Sequence, residues 1–415
     1  MTGPPVPLPV KRENPFDPPR LLDAYRETEP VRRLVYPDGH VGWLVTGYEL
    51  AKSVLADRRF SARSELKRVP VSRPGADPFI GQPALPGWIV DMDAPEHTRV
   101  RRLVAARFGA ARTAALRPKI EAIAERCLDA LADAGPPADL VTHFALPVPS
   151  LVICELLGVP YGDRDAFQHN STVLFSLEAS AADGERAMTA LTDYLLELIE
   201  HKRRHPAGDL LGSLVAGGEL APVELAGLCV LLLTAGHETV ASMLGLGVFA
   251  LLSHPEQWAA LVADPGLVEG AVEELLRYLT IFQFGVPRTP LTDVELGGHL
   301  LRAGESVTVS LPAANRAPER FPCPHALDVR REPRSHLAFG HGIHKCVGQH
   351  LAREELAIGY RALLRRFPGL RLAVPPERVR MHDDMGFYGV HGLPVTWSPG
   401  HEAGAPAPTT GGKAA

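Results

Sequence analysis

Several absences narrow the function of this chain before any motif is read. There is no excess of basic residues: 43 Lys and Arg stand against 48 Asp and Glu, a formal charge of −5. A nucleic-acid binder would show a basic stripe or tail, so that class is set aside. No uninterrupted apolar run reaches the roughly 20 residues that a membrane-spanning helix needs. The most apolar stretch, Leu225 to Leu252, is broken by Gly236, His237 and Glu238, and charge at the centre of a span is rare. No membrane partner is expected. The N-terminal MTGPPVPLPVKREN has prolines where a secretion signal has its apolar core. Cysteine is scarce, with only Cys127, Cys154, Cys229, Cys323 and Cys346. An odd, dispersed set of thiols argues against a disulfide framework and for a reducing compartment. The expected location is the cytoplasm.

What remains is the composition of an ordinary soluble protein able to bury a large core, with 46% hydrophobic and 22% charged residues in 415. The 38 Gly and 39 Pro are scattered, which marks a loop-rich chain rather than a disordered one. Three parts are expected: a Pro-rich extended segment at 1–19, a single domain at 20–400 and a disordered tail at 401–415. Apolar periodicity predicts helices near 21–28, 48–56, 95–108, 111–133, 148–157, 185–204, 221–252, 255–263, 267–279 and 347–366. Strand-like runs are short: Leu34–Tyr36 with Trp43–Val45, Val294–Leu296, Leu300–Leu301, Ser306–Ser310 and Val395–Trp397. The class is therefore mainly α with a small β region. The segment 64–92 lacks periodicity, and loops of that length usually bind something or move.

The most informative stretch is Phe339-Gly340-His341-Gly342-Ile343-His344-Lys345-Cys346-Val347-Gly348. Its glycines permit a tight loop and close approach of backbone to a flat ligand. A helical pattern follows, so Cys346 stands near a helix N-terminus, where the dipole and free N–H groups favour a thiolate. A thiolate so placed can ligate iron. Two other readings stay open from these residues alone. Cys346 can be a small buried hydrophobe. It can also join His341 and His344 around zinc, although no second ligand pair with finger spacing is present. A phosphate loop would need GxxxxGK[ST], which is absent here.

The whole string resembles the haem-binding loop of the cytochrome P450 family, FGxGxHxCxG, at Phe339, Gly340, Gly342, His344, Cys346 and Gly348. Gln349-His350-Leu351-Ala352-Arg353 looks like the helix that follows it in that family. Three further strings resemble family motifs in the family's order. Ala235-Gly236-His237-Glu238-Thr239 lies in the long apolar helix; by itself it also suits a kink where Thr239 bonds back to a carbonyl one turn earlier. Glu274-Leu275-Leu276-Arg277 places an acid and a base on one helix face, the ordinary reading being a surface salt bridge. Pro95-Glu96-His97-Thr98-Arg99-Val100-Arg101 puts His97 and Arg101 on one face, the ordinary reading being a polar helix surface. The likeness runs from about Pro15 to Pro399. Val240 departs from it, standing where many relatives repeat a threonine.

The resemblance implies a P450 fold with haem b (iron protoporphyrin IX) between the long central helix and the cysteine loop. It implies Cys346 as axial ligand of the iron, with Phe339 shielding the sulfur and Gly340 in the cradle. His97, Arg101, Arg288 and His344 are implied to hold the propionates. Thr239 and Glu238 are implied to handle protons for dioxygen, with Ala235 and Gly236 leaving room. Glu274, Arg277 and Arg331 are implied to form a structural ion network. Phe79, Ile80, Trp88, Leu231, Leu232, Ala235, Phe282, Phe284 and Phe387 are implied to line an apolar substrate pocket.

The expected activity is a haem-thiolate monooxygenase that inserts one oxygen atom from O2 into a hydrophobic small molecule, by hydroxylation or epoxidation. The resemblance is to members that tailor polyketides and macrolides. No flavin or ferredoxin module is visible, so the expected electron donors are a separate ferredoxin and its NAD(P)H-dependent reductase. Lys345, Arg102 and Arg107 would offer that ferredoxin a basic face, their ordinary reading being solvated surface charge. Two alternatives remain: oxidative coupling on the same fold without oxygen insertion, and a non-catalytic haem sensor or carrier, which would have no need of Glu238 and Thr239.

Overall fold

The computed structural model of the protein describes residues 3–332 and 335–398, so the tail expected at 401–415 lies outside it. Among the described residues the helices are α1 (Arg20–Thr28), α2 (Tyr48–Ala56), α3 (Glu96–Ala105), α4 (Ala110–Ala134), α5 (Pro147–Leu157), α6 (Arg164–Phe175), α7 (Ala181–Arg204), α8 (Leu210–Gly217), α9 (Pro222–Ser253), α10 (Pro255–Ala263), α11 (Val268–Leu279), α12 (Leu311–Ala314) and α13 (Gln349–Arg366). The strands are β1 (Val6–Pro7), β2 (Val31–Val35), β3 (Val41–Val45), β4 (Phe60–Ser61), β5 (Ala138–Asp139), β6 (Val286–Pro290), β7 (Val294–Leu296), β8 (His299–Leu301), β9 (Val307–Val309), β10 (Arg371–Leu372) and β11 (Pro394–Thr396). The mainly helical class expected from periodicity is the one observed.

α9 is apolar on nearly every face, and that composition belongs to a helix surrounded by others. It packs against α5, α7, α11 and α13 at the centre of the main core. It is the one described helix long and apolar enough to cross a membrane, and 83% of its most apolar window is buried inside the protein. Its length therefore serves the core.

Six strands form the largest sheet, in the order β1-β2-β3-β9-β6-β4. β6 runs antiparallel to β9 with Arg288 opposite Val307, which brings an arginine to the sheet's inner side. The proline-rich start of the chain is extended and firmly packed. β1 pairs in parallel with β2, Arg12 stacks on Tyr388 at 3.8 Å, and the buried Arg316 donates to Phe16 O and to Asp17 Oδ1.

Four helices differ from the periodicity. α7 begins at Ala181 rather than 185, because Ser180 and Asp183 form a reciprocal capping box: Ser180 Oγ accepts from Asp183 N, and Asp183 Oδ2 accepts from Ser180 N. α6, α8 and the four-residue α12 are absent from the expectation. α6 carries Asn170, Ser171 and Thr172, which are weak helix formers, and it is held by packing on α7 and α9. α8 holds two glycines and depends on its Asp209 cap and on Gly218 in the left-handed conformation. Between β4 and α3, the aperiodic segment 64–92 folds into three short 3₁₀ turns: Ser64–Leu66, Pro74–Ala76 and Ile89–Asp91. These turns wall the cavity described next.

Candidate active site beneath the central helix

Glycine makes the cysteine loop. Gly340 and Gly342 have φ of 69° and 71°, where a side chain is strained. A Cβ on Gly342 would also stand 2.3 Å from Leu55 O, so the loop presses on the end of α2. Cys346 N donates to Phe339 O at 2.8 Å and closes the turn. Phe339 lies under the Arg353 guanidinium at 4.5 Å, and Arg353 is itself held by two bonds to the Glu273 carboxylate. α13 then starts at Gln349. Helix-start position alone favours a thiolate at Cys346. In the fold, burial outweighs it and raises the thiol pKa, while the Gly348 N–H and the charges of Arg101, Arg353 and Lys345 act the other way. An anionic sulfur at this point therefore calls for a bound cation.

Cys346 lies on a cavity of about 760 Å³. The opposite wall is α9, which contributes Leu231, Leu232, Ala235, Gly236 and Thr239. Phe79, Ile80, Trp88, Phe282, Phe284 and Phe387 line the same cavity, so all nine residues expected around a substrate meet in one space. Phe387 contacts Phe282 and Phe175, with ring centroids 5.4 and 4.7 Å away. Leu174 and Phe175, from α6, line the cavity too, within the region 168–182 that the family resemblance implies for substrate contacts.

Beside the cysteine loop, polar groups converge without partners. His97, only 2% exposed, packs its ring 4.2 Å from that of His344. Both ring nitrogens of His97 and Nε2 of His344 are buried with no hydrogen-bond partner. Arg288 is 5% exposed, and among the described residues its only hydrogen bond is from Nη1 to Pro287 O. Burial pushes the Arg288 pKa down to about 10, offset in part by Asp93 and Asp91. His344 is pushed down to about 2, first by burial and then by the charges of Arg288, His97, Lys67 and Arg101. Arg101 donates to Lys345 O and so also braces the loop. Buried polar groups are nearly always satisfied. A cluster of unpaired donors with no bonded acid fits a ligand that brings carboxylates, as the propionates of haem would.

Above the cavity the AGHET segment adopts the ordinary helical reading in one respect. Thr239 Oγ1 donates to Ala235 O at 2.7 Å, one turn back. Gly236 has a packing reason as well, since a Cβ there would stand 3.0 Å from Ile153 Cδ1 of α5. Glu238 is buried and points toward α6, away from the cavity-lining side chains. Its Oε1 accepts from Thr172 Oγ1 at 3.2 Å and lies 3.6 Å from His237 Nδ1. Burial pushes the Glu238 pKa up to about 7, and the Thr172 bond partly offsets this. Burial likewise pushes His237 down to about 4. Thr172 had no signal in the sequence; it acts only because α6 crosses α9 there.

The Glu274 and Arg277 pair is buried rather than superficial, at 3% and 2% exposure. Arg277 Nε donates to Glu274 Oε2 at 2.7 Å and Nη2 to Oε1 at 2.8 Å, a bidentate match. Arg331 Nε adds a third bond to Glu274 Oε1 at 3.0 Å. Arg277 also donates to Asn315 O and Pro324 O, so the network ties α11 to the meander before the cysteine loop. On the outside, Lys345 is exposed and Arg102 is exposed beside Glu219 at 3.7 Å. Arg107 is half-buried and committed to Ser213 Oγ and Leu103 O, so it is a poorer surface charge than expected.

Comparison with known proteins gives a consistent result. The family model described as Cytochrome P450 matches residues 23–384. The chain is 47% identical over 394 residues to cytochrome P450 105C1 of a Streptomyces species, covering 95% of this chain and 99% of that one. It is 41% identical to the 20-oxo-5-O-mycaminosyltylactone 23-monooxygenase of Streptomyces fradiae, covering 94% and 92%. The crystal structure of CYP105P1 in complex with filipin I superposes with a TM-score of 0.90 at 43% identity, covering 95% and 99%.

Proposed function

The chain belongs to the cytochrome P450 family and is a haem-thiolate monooxygenase; we propose that it oxidises a polyketide or macrolide-like molecule, with the residues of the cavity in the roles that follow. The carrying observation is that Cys346 and Thr239 line one apolar cavity, beside two buried histidines with unpartnered ring nitrogens and the buried Arg288, bonded only to its neighbouring carbonyl among the described residues. Two relatives support the substrate class: CYP105P1 was crystallised with filipin I, and the Streptomyces fradiae enzyme is named for a mycaminosyltylactone.

When bound, haem iron with dioxygen, two electrons and two protons would supply the oxidant that transfers one oxygen atom to carbon, the other leaving as water. Cys346 is its sulfur ligand. Arg288, His97, His344 and Arg101 take the propionates, giving the buried donors the acceptors they lack. Phe339, fixed under Arg353, keeps water from the sulfur. The phenylalanines of the cavity hold an apolar substrate and displace water. Thr239 holds a hydroxyl proton at the cavity wall, within a bond to Ala235 O that it can exchange for a bond into the cavity. Glu238, with a pKa about 7, takes and gives a proton near neutrality. To serve Thr239, its carboxyl turns from Thr172 toward the cavity.

Electrons come from a ferredoxin and an NAD(P)H-dependent reductase, docked at the face that bears Lys345 and Arg102. The burial of the one long apolar helix supports a cytoplasmic enzyme.

Two measurements test this reading. The reduced protein with carbon monoxide should give the strongly red-shifted absorption of a thiolate-bound haem; its absence in folded, haem-loaded protein overturns the assignment of Cys346. Turnover under isotopically labelled dioxygen should yield a product heavier by one labelled oxygen. A product lighter by two hydrogens would instead establish oxidative coupling.

A further inference from the structure

The cavity carries one cation that the haem cradle does not use. Arg73 lines it from the loop between β4 and α3, immediately before the turn Pro74–Ala76. Its Nη2 donates to Leu174 O at 3.3 Å, while its Nε is buried without a hydrogen-bond partner. Burial alone lowers its pKa, and no charged neighbour contributes. Glu355 also lines the wall, with an unpartnered Oε2, and burial raises its pKa so that it is no standing anion; several other polar groups are spent. Lys67 is paired with Asp91, Thr234 bonds back to Val230 O, and Ser64 donates to Phe79 O. An unpaired guanidinium in an apolar wall is costly, and the fold keeps it only where something offsets the charge.

The backbone around Arg73 is held in place on two sides. The loop after it is pressed onto α7: a Cβ on Gly184 would stand 2.0 Å from Gly75 O, so both strands of the contact are backbone. On the other side, the end of α6 is tied to the 384–386 turn by Leu177 N to Asp384 O at 2.8 Å and Gly386 N to Phe175 O at 2.7 Å. Gly386 lies beside the guanidinium, where a Cβ would be in ordinary contact with Arg73 Nη2 at 3.5 Å. The neighbouring rings, Phe175 and Phe387, are apolar. The result is a guanidinium with an unpartnered Nε and no paired acid in a largely apolar wall.

We propose that Arg73 is the recognition point for a carboxylate at one end of an otherwise hydrophobic substrate. This rests on the cavity being the substrate site of the monooxygenase, and it narrows the substrate to an amphiphilic acid. A carboxylate accepts from two guanidinium N–H groups at once and supplies the missing negative charge. A neutral ester or lactone oxygen accepts hydrogen bonds but leaves the charge unpaired.

The test uses haem-loaded protein and the linear acids from octanoic to hexadecanoic, each beside its methyl ester. Dissociation constants are read by calorimetry and by the perturbation of the haem absorption. Wild type should bind the best acid about tenfold more tightly than its ester. Arg73→Leu should abolish that preference while ester affinity stays within about twofold, and Arg73→Lys should keep part of it. Equal binding of acid and ester by wild type, no binding of any acid, or a preference that survives in Arg73→Leu would each overturn the inference. The reduced carbon monoxide spectrum reports separately on the haem-thiolate reading, and its persistence in both variants shows that they are folded.

Discussion

Thr172 Oγ1 of α6 donates to Glu238 Oε1 of α9 at 3.2 Å, so the acid of the AGHET segment is held by a residue sixty-six positions earlier in the chain. The proton store of the proposed mechanism thus hangs on the same helix whose last turn lines the substrate cavity with Leu174 and Phe175.

The burial of this carboxyl sets a pH dependence. Burial raises Glu238 from the ordinary 4.5 to about 7. Between those values the native chain keeps a proton that the unfolded chain has released, so stability falls as pH rises through the window and stays lower above it. Glu238→Gln should therefore stabilise the protein by up to about 3 kcal/mol near pH 8, and the gain should vanish near pH 4.5. Urea unfolding at the two values measures it. Thr172→Val removes a bond to the ionised form and should move the carboxyl titration further alkaline, read by infrared difference against Glu238→Gln.

Thr239→Ala should change stability by less than about 1 kcal/mol, because the lost bond runs within the helix to Ala235 O. Coupling should suffer instead. Hydrogen peroxide should appear at the expense of product, while NAD(P)H consumption continues. Unchanged product yield per NAD(P)H would contradict the role given to Thr239.

Glu274→Ala leaves Arg277 buried and without its carboxylate. The expected cost is about 3 to 5 kcal/mol, measured by guanidinium unfolding, with poor haem retention. Arg331→Ala should cost less, since that side chain is 13% exposed against 2% for Arg277.

His97→Phe and Arg288→Leu each remove a donor from the proposed propionate cradle. Haem transfer to excess apomyoglobin should accelerate about tenfold for each. A rate equal to wild type would place the unsatisfied nitrogens of His97 outside the cradle.

Lys345→Glu and Arg102→Glu should slow first-electron transfer from ferredoxin about tenfold at low salt, an effect that high salt erases. Substrate affinity should not change. Arg107→Glu should disturb folding instead, because Arg107 is bonded to Ser213 and to Leu103 O.

The legible part of this molecule was the part written in short, contiguous strings. α2 and α10 fall where apolar spacing placed them, at Tyr48–Ala56 and Pro255–Ala263. The cysteine loop, the AGHET segment and the Glu274–Arg277 pair were each readable because neighbouring residues carry the chemistry. β6 was missed because Pro287 and Pro290 argue against a strand, yet pairing with β9 and β4 holds it. The two-residue strands β1, β4, β5 and β10 are too short to show any period.

Sequence alone determined the helical class, the buried central helix and the string that presents Cys346, since periodicity and glycine-dependent loops are local properties. Only the tertiary structure decided that Glu238 faces Thr172, that burial raises the Cys346 thiol, and that Arg73 enters the cavity unpaired. Each of these depends on how α6, α7, α9 and the loop after β4 pack together. Desolvation and long-range contact are set by that packing, and no residue spacing encodes them.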